Sequence, residues 1–325
     1  MSSMGPENIL GAARAFMESR ILLTGAELDI FTLLDGAALS ADELAARLPA
    51  DARALTALLD ALVSMDLLSK EQDRYRTPPD VARTLSASSP DSVLPMILHS
   101  AGLWHRWGEL TTRVCGPQGP AHRPDTGLTA FIGAMHVIGS RMAPRIAAAA
   151  KPGAATRLLD IGGGSGTYTM AFLEASPDLK ATLFDRPDVV EMARARLAQA
   201  GMLDRVTLAP GDFYADPLPA GHDLALLSAI IHQNSREQNV ELYRKVYAAL
   251  VPGGRLVIRD HIMSLDHTQP KSGALFAINM LAGTPGGGTF TFDEIREDLV
   301  RAGFERVRLV QPDTAMDGLV EAFRP

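Results

Sequence analysis

A chain of 325 residues has room for two domains, each with its own core, and an apolar fraction of 46% excludes wholesale disorder. A net charge of −7 argues against nucleic acid as a main partner. The single cysteine, Cys115, excludes an intramolecular disulfide framework and a cysteine-based zinc site and fits a reducing cytoplasm. Met1-Ser2-Ser3-Met4-Gly5-Pro6 lacks the basic start and apolar run of a signal peptide, and no uninterrupted apolar stretch is long enough to span a membrane.

In chain order, Asn8 to Leu34 reads as one helix. Its apolar positions Ile9, Ala13, Phe16, Met17, Ile21, Leu28, Phe31 and Leu34 fall near helical spacing. Such a stripe must pack on its own domain or on a second copy of the chain. Ser40-Ala41-Asp42-Glu43 is a capping box that starts a helix running to about Leu48. Pro49 turns the chain, Asp51 to Leu67 is a second helix, and Leu68 to Thr77 is a hairpin turning near Gln72-Asp73. Helix, turn, helix, hairpin is the outline of a winged helix. A recognition helix needs positive charge toward phosphate. This one carries Arg53 against Asp51, Asp60 and Asp66, so a structural or dimerisation module is the better reading.

Pro78 to Pro90 reads as a polar connection. Leu94 to Cys115 is helical and holds His99, Trp104, His105 and Trp107, either as packing residues or as a pocket wall, since aromatic rings grip flat ligands. Gly116 to Gly127 reads as a loop. Leu128 to Ala150 is a helix carrying Phe131, Met135, His136 and Met142, and Lys151-Pro152-Gly153 is a domain boundary.

Beyond it strands and helices alternate. Arg157 to Ile161, Lys180 to Phe184, Val206 to Leu208, Asp223 to Ile231 and Arg255 to Ile262 read as strands. Helices start near Thr167, Asp188 and Ser235. That spacing predicts a parallel sheet covered on both faces. Phe304 to Val310 and Leu319 to Phe323 are joined by a short link containing Asp313 and Asp317, which suits an antiparallel pair. The first strand runs into Gly162-Gly163-Gly164-Ser165-Gly166 and then a helix, an arrangement that brings backbone N–H groups close to a ligand. Asp185 follows the second strand where a carboxylate meets ribose hydroxyls. The spacing is Gly-x-Gly-x-Gly rather than the Gly-x-Gly-x-x-Gly of dinucleotide sites. The carboxyl ends of the strands, where such sheets bind ligands, carry Gly162, Asp185, Asp212, His232 and Asp260.

With these segments in view, the sequence resembles the class I S-adenosylmethionine-dependent methyltransferases. More narrowly, it resembles the O-methyltransferase family with an N-terminal winged-helix dimerisation domain, which includes plant caffeate-type enzymes and bacterial relatives. The resemblance rests on Leu159 to Gly166, Phe184-Asp185-Arg186-Pro187, Gly211-Asp212-Phe213, Ile231-His232, Val251 to Arg255 and Pro285-Gly286-Gly287. It implies an α/β fold: a Rossmann-like sheet, mostly parallel with an antiparallel C-terminal strand, behind a mainly helical N-terminal domain. The implied domains are a winged-helix-like dimerisation domain (1–90), helices of a linker and substrate pocket (91–150), and a catalytic domain (151–325).

The resemblance also implies S-adenosylmethionine as cofactor, a small-molecule methyl acceptor, a homodimer, and neither nucleic acid nor membrane as partner. It places the methionine part of the cofactor at the glycine loop with Gly162 and Gly164, the ribose on Asp185, and the adenine by Asp212 and Phe213. His232 takes the place of the catalytic base and Asp260 that of the acid orienting it. The sequence departs from the family pattern in three places. His-Asp-Trp becomes His232-Gln233-Asn234, a common lysine becomes Ser228 (kept here with the cofactor residues), and a second supporting glutamate falls on Thr289. An acceptor pocket is expected from Trp104, Trp107, Phe131, Met135, His136, Phe276, Asn279 and Met280, with one of Arg20, Arg106, Arg113, Arg123, Arg141, Arg145 and Lys271 available for a substrate carboxylate. No metal is expected.

A phenol ionises near ~10 and an imidazole near ~6.5, so a histidine can take the acceptor's proton as the new bond forms. A thioether acceptor needs no base and a thiol needs little help, so transfer to sulfur or carbon stays open beside transfer to a hydroxyl. Two rival classes are a nicotinamide-dependent oxidoreductase, disfavoured by the glycine spacing and Asp212, and a non-catalytic ligand-sensing regulator, disfavoured by the acidic second helix.

Overall fold

The computed structural model describes residues 5–116, 118–120 and 126–325. The chain forms two compact units, residues 1–124 with 266–282, and residues 125–265 with 283–325. Arg123 lies outside the described residues, as do Met1 to Met4.

The first unit is built on leucine-rich helices. Ser40 and Glu43 form the full capping box, Glu43 N–H donating to Ser40 Oγ at 3.2 Å and Ser40 N–H to Glu43 Oε2 at 2.8 Å. Asp51 caps helix Ala52–Ser64, whose Leu55, Leu58, Leu59 and Leu62 are buried at helical spacing. The hairpin Ser69–Glu71 and Arg74–Arg76 turns at Gln72, where φ is 57°, and Leu39–Ser40 adds a third short strand. Asp60 is not a surface acid. Its Oδ1 accepts from Lys70 Nζ and Tyr75 O–H, both at 2.7 Å, inside the unit.

Two expectations need correction here. The N-terminal stripe is three helices, Pro6–Arg14, Phe16–Glu27 and Ile30–Leu33, the last entered through left-handed Asp29. Only its later part is buried: Ile21, Phe31 and Leu34 join the core, while Ile9 and Phe16 are exposed. The connection after the hairpin contains helix Pro79–Leu85, because Pro79 pre-sets φ for a first turn and Ala82 and Leu85 reach the core.

The second unit is a seven-stranded sheet with helices on both faces. Its strands are β1 Arg157–Ile161, β2 Lys180–Asp185, β3 Val206–Pro210, β4 His222–Ser228, β5 Leu250–Asp260, β6 Glu305–Gln311 and β7 Gly318–Phe323. The spatial order is β6-β7-β5-β4-β1-β2-β3. β7 runs antiparallel to β5 and β6, while β3, β2, β1, β4 and β5 pair in parallel. Helix α1 (Leu128–Ala150) and α2 (Thr167–Ala175) pack on one face over Leu158, Leu224, Leu226 and Val257. Helices α3 (Pro187–Gln199), α4 (Arg236–Ala249) and α5 (Phe292–Arg301) complete the unit. Leu159, Ala225, Leu256 and Ile258 meet α4 and α5 on the other face. This burial on both sides explains why the strands read as continuous apolar runs. The fourth strand ends at Ser228, three residues short of its expected end. Ala229 turns at φ 59° and Ile231–Gln233 forms one 3-10 turn.

Candidate active site

The site residues lie at the carboxyl ends of β1 to β5. After β1, Gly162 N–H donates to Phe184 O at 2.8 Å, which turns the chain across the top of β2. A Cβ on Gly162 would collide with Ile230, and its φ of 68° is itself unfavourable for other residues. A Cβ on Gly164 would meet nothing within 4 Å, so the loop leaves open space above the N-terminus of α2.

Asp185 closes the loop from the β2 side. Its Oδ2 accepts from Gly164 N–H at 2.8 Å and its Oδ1 from Arg186 N–H at 2.7 Å. Burial pushes this carboxyl up, against those two bonds. Each oxygen keeps a further lone pair, the capacity needed for a vicinal diol. Asp212 is exposed after β3, its Oδ1 accepting from Tyr214 N–H at 2.9 Å. Phe213 is half-buried against the core, 4.6 Å from the Tyr214 ring. An open loop, a carboxylate at the diol position and an aromatic edge beyond it fit an adenosyl cofactor with an extended tail.

His232 sits on the short turn after β4. Its Nδ1 lies 2.8 Å and 3.0 Å from the two oxygens of Asp260, the last residue of β5. Asp260 is 1% exposed and also accepts from His261 N–H at 2.8 Å. Burial alone would raise its pKa. The adjoining His232, with Arg259 and His261, outweighs that and holds it below the ordinary carboxylate value. An ionised Asp260 can only accept, so Nδ1 donates, and in that tautomer Nε2 is the ring's acceptor atom on the far side. The His232 carbonyl accepts from Gly288 N–H at 2.8 Å, which fixes the turn from the Pro285-Gly286-Gly287 side.

Two of the departures from the family pattern, Asn234 and Ser228, have partners of their own. Asn234 is fully buried; its Oδ1 accepts from Tyr214 O–H, and its Nδ2 donates to Asn239 Oδ1 at 2.9 Å. Asn239 Nδ2 reaches Ile231 O at 3.0 Å. Ser228 Oγ accepts from Arg259 Nε at 2.9 Å, and Thr289 is buried.

The eight pocket residues fall on both units. Trp104 and Trp107 are exposed on helix Leu94–Gly108 of the first unit, with the Arg20 guanidinium 5.6 Å from the Trp104 ring. Phe276, Asn279 and Met280 lie on Lys271–Gly283 and are half-buried, exposed and buried. Phe131, Met135 and His136 lie on α1 of the second unit, the first two exposed. His136 Nδ1 is 2.8 Å from Thr167 Oγ1, which is 2.8 Å from Ser165 Oγ; burial lowers the His136 pKa, with the Arg196 charge adding to it. Of the bases considered for a substrate carboxylate, Arg20, Arg113 and Lys271 pair with Glu27, Glu109 and Glu18.

Residues 131–305 match the family model of the O-methyltransferase domain, and residues 10–88 match that of the O-methyltransferase dimerisation domain. The chain belongs to the O-methyltransferase family. It is similar to the 3-hydroxy-5-methyl-1-naphthoate 3-O-methyltransferase of Streptomyces sahachiroi, 31% identical over 94% of this chain and 91% of that one. It is equally similar, at 31% identity over 97% of this chain and 96% of that one, to the tetracenomycin polyketide synthesis 8-O-methyl transferase of Streptomyces glaucescens. Among solved structures, an O-methyltransferase family 2 protein from Planctomyces limnophilus in complex with apigenin superposes with a TM-score of 0.83. It is 29% identical and covers 98% of this chain and 95% of that one. The protein is therefore an S-adenosylmethionine-dependent methyltransferase with a mostly parallel α/β catalytic fold. No helix among the described residues is long and apolar enough to cross a membrane.

The sequence reading gave no role to Arg259, Tyr168 or Asp160. The signal for Arg259 was present: a charge stands in the apolar run Leu256-Val257-Ile258 immediately before the acid.

Proposed function

We propose that the enzyme methylates a hydroxyl of a small aromatic molecule, with His232 as general base and Asp260 as the group that holds its tautomer. The observation that carries this reading is the Nδ1 to Asp260 contact at the carboxyl end of the sheet. Bound S-adenosylmethionine supplies a methyl already activated on a sulfonium. Gly162 lets the loop turn close against Ile230 and Gly164 leaves room for the cofactor's tail, Asp185 accepts from the ribose diol, and Asp212 with Phe213 frames the adenine. His232 Nε2 removes the hydroxyl proton as the acceptor oxygen becomes nucleophilic, and Asp260 stabilises the imidazolium. Holding the acceptor in line is itself worth about 7–11 kcal/mol. Aromatic acceptors are supported by relatives whose names specify a naphthoate and a polyketide, and by the exposed Phe131 and Met135 on α1.

We assign residues 1–90 to dimerisation, 91–150 to the linker and pocket helices, and 151–325 to catalysis, with a homodimer formed through the N-terminal region. The exposed Ile9 and Phe16 support that surface. A panel of hydroxyarenes, thiols and thioethers incubated with S-adenosylmethionine tests the function, read by S-adenosylhomocysteine release and product mass. Release with hydroxyarenes alone is expected, and release only with sulfur acceptors would overturn the reading. Sedimentation at micromolar concentration tests the assembly, where a monomer would contradict it.

A further inference from the structure

Arg259 is 5% exposed and has no carboxylate within ion-pair distance among the described residues. Its Nε donates to Ser228 Oγ at 2.9 Å and its Nη1 to Met316 O at 2.8 Å, and the guanidinium lies 4.8 Å from the centre of the Tyr168 ring. Three of its five N–H donors are left over. The Tyr168 hydroxyl beside it is buried and makes no hydrogen bond of good geometry among the described residues, although it also feels the Ser228 side chain. A buried cation that meets the Asp260 charge only beyond ion-pair distance, and beside it a buried hydroxyl without a well-formed hydrogen bond, are each costly, and finding both at one place calls for an explanation.

Their place in the fold supplies one. Tyr168 is in the first turn of α2, two residues after Gly166. Ser228 and Arg259 are register partners at the ends of β4 and β5, and β4 pairs with β1, the strand that feeds the glycine loop. The cluster lies on the α1 and α2 face of the sheet, the face to which Leu226 and Val257 belong. On that face Asp160, 1% exposed, has the Thr169 hydroxyl as partner and no cation. Buried charges of opposite sign, neither held in an ion pair among the described residues and both flanking the loop, complement a group that carries both signs, and an α-amino acid is such a group.

The geometry points to Arg259 and Tyr168 as a carboxylate subsite for the amino-acid end of S-adenosylmethionine. This rests on the cofactor placement proposed above. Arg259 offers paired N–H donors to the carboxylate and Tyr168 offers its O–H, while Ser228 and Met316 O hold the guanidinium in position.

The test compares S-adenosylmethionine with its decarboxylated analogue, which keeps the adenosyl group, sulfonium and amine. Both are titrated calorimetrically into wild type, Arg259→Met, Arg259→Lys and Tyr168→Phe. Wild type should bind S-adenosylmethionine the more tightly. Arg259→Met should weaken that binding about tenfold or more and change binding of the analogue less than twofold. Arg259→Lys should recover part of the loss, and Tyr168→Phe should weaken S-adenosylmethionine alone, by several-fold. Equal losses on both nucleosides would make Arg259 a strut for the β6 to β7 link and overturn the proposal, as would a wild type that does not distinguish them. If Arg259→Met fails to fold, Tyr168→Phe, which removes one oxygen, decides alone. A wild type that binds neither nucleoside would overturn the cofactor placement first and this subsite with it.

Discussion

His232 and His261 both set Nδ1 against a buried carboxylate, at 2.8 Å from Asp260 and 2.7 Å from Asp313. The two pairs touch, because the His261 N–H donates to Asp260. Their surroundings differ. The His232 side chain keeps 12% of its surface and rides on a single turn after a parallel strand. The His261 side chain keeps 4% and continues from the end of β5. Asp313 also accepts from Ile262 N–H at 3.3 Å and Asp317 N–H at 2.9 Å, so the second pair clips the β6 to β7 link onto the strand that carries Asp260. A histidine–carboxylate bond alone therefore does not mark a base. What separates the two is the backbone around them: one turn ends a strand at the ligand edge of the sheet, and the other is sealed by a loop.

Substitutions at both pairs would sharpen or break this comparison. The largest effect is expected at the first pair. His232→Ala should lower turnover roughly 10²–10⁴-fold while leaving cofactor affinity unchanged, since the ribose and adenine contacts lie elsewhere. Steady-state rates beside a binding titration would show whether affinity falls with rate, which would make His232 a binding residue. Next, Asp185→Ala should weaken S-adenosylmethionine by about 1.5–3 kcal/mol, the range for hydrogen bonds to a charged group. Unchanged affinity in a folded variant would remove Asp185 from the ribose. At the second pair, Asp313→Ala should cost about 1–3 kcal/mol in stability for the buried donors it strands, with turnover changed only several-fold. A collapse in turnover comparable to that of His232→Ala would mean that the clip is part of the chemistry.

A further effect concerns stability against pH and contrasts Asp160 with Asp260. Burial pushes the Asp160 carboxyl up to about 6 from its ordinary 3.8. The folded state then binds the proton more tightly than the unfolded state. The associated stability is full below the unfolded value and is lost as pH rises through 6, on the order of 2–3 kcal/mol. Asp260 has the opposite sign, because its carboxyl lies below the ordinary value. Its contribution is present above the carboxylate range and is lost as pH falls through its lowered pKa. Asp160→Asn should therefore melt higher than wild type at pH 7.5 and lose that advantage near pH 4, and a constant difference across pH would contradict the assignment.

Much of the second unit could be read from sequence, because its strands are buried on both faces and its turns are marked by glycine or proline. Arg157–Ile161 and Leu128–Ala150 begin and end where the pattern puts them, and Thr167–Ala175 begins there. The misreadings have physical reasons. Apolar spacing runs through Leu28 and Asp29 without showing that Asp29 turns left-handed. Pro78 to Pro90 reads as a polar connection although Pro79 starts a helix there. The Asp60 charge was counted on a face although it points inward to Lys70 and Tyr75. In the site, Gly164, Asp185, His232 and Asp260 stood out because strand ends select them. Arg259 and Tyr168 did not, because their interest lies in partners they lack, and a sequence does not record missing partners.

The central claim is that His232 takes a proton from a hydroxyl. It is tested most directly by the pH–rate profiles of wild type and His232→Ala at saturating cofactor with a hydroxyarene acceptor. The wild-type rate should rise as the imidazole loses its proton and then level off, and the variant should be slow without that inflection. A wild-type profile that is flat across the same range, or an inflection that survives in His232→Ala, would contradict the account.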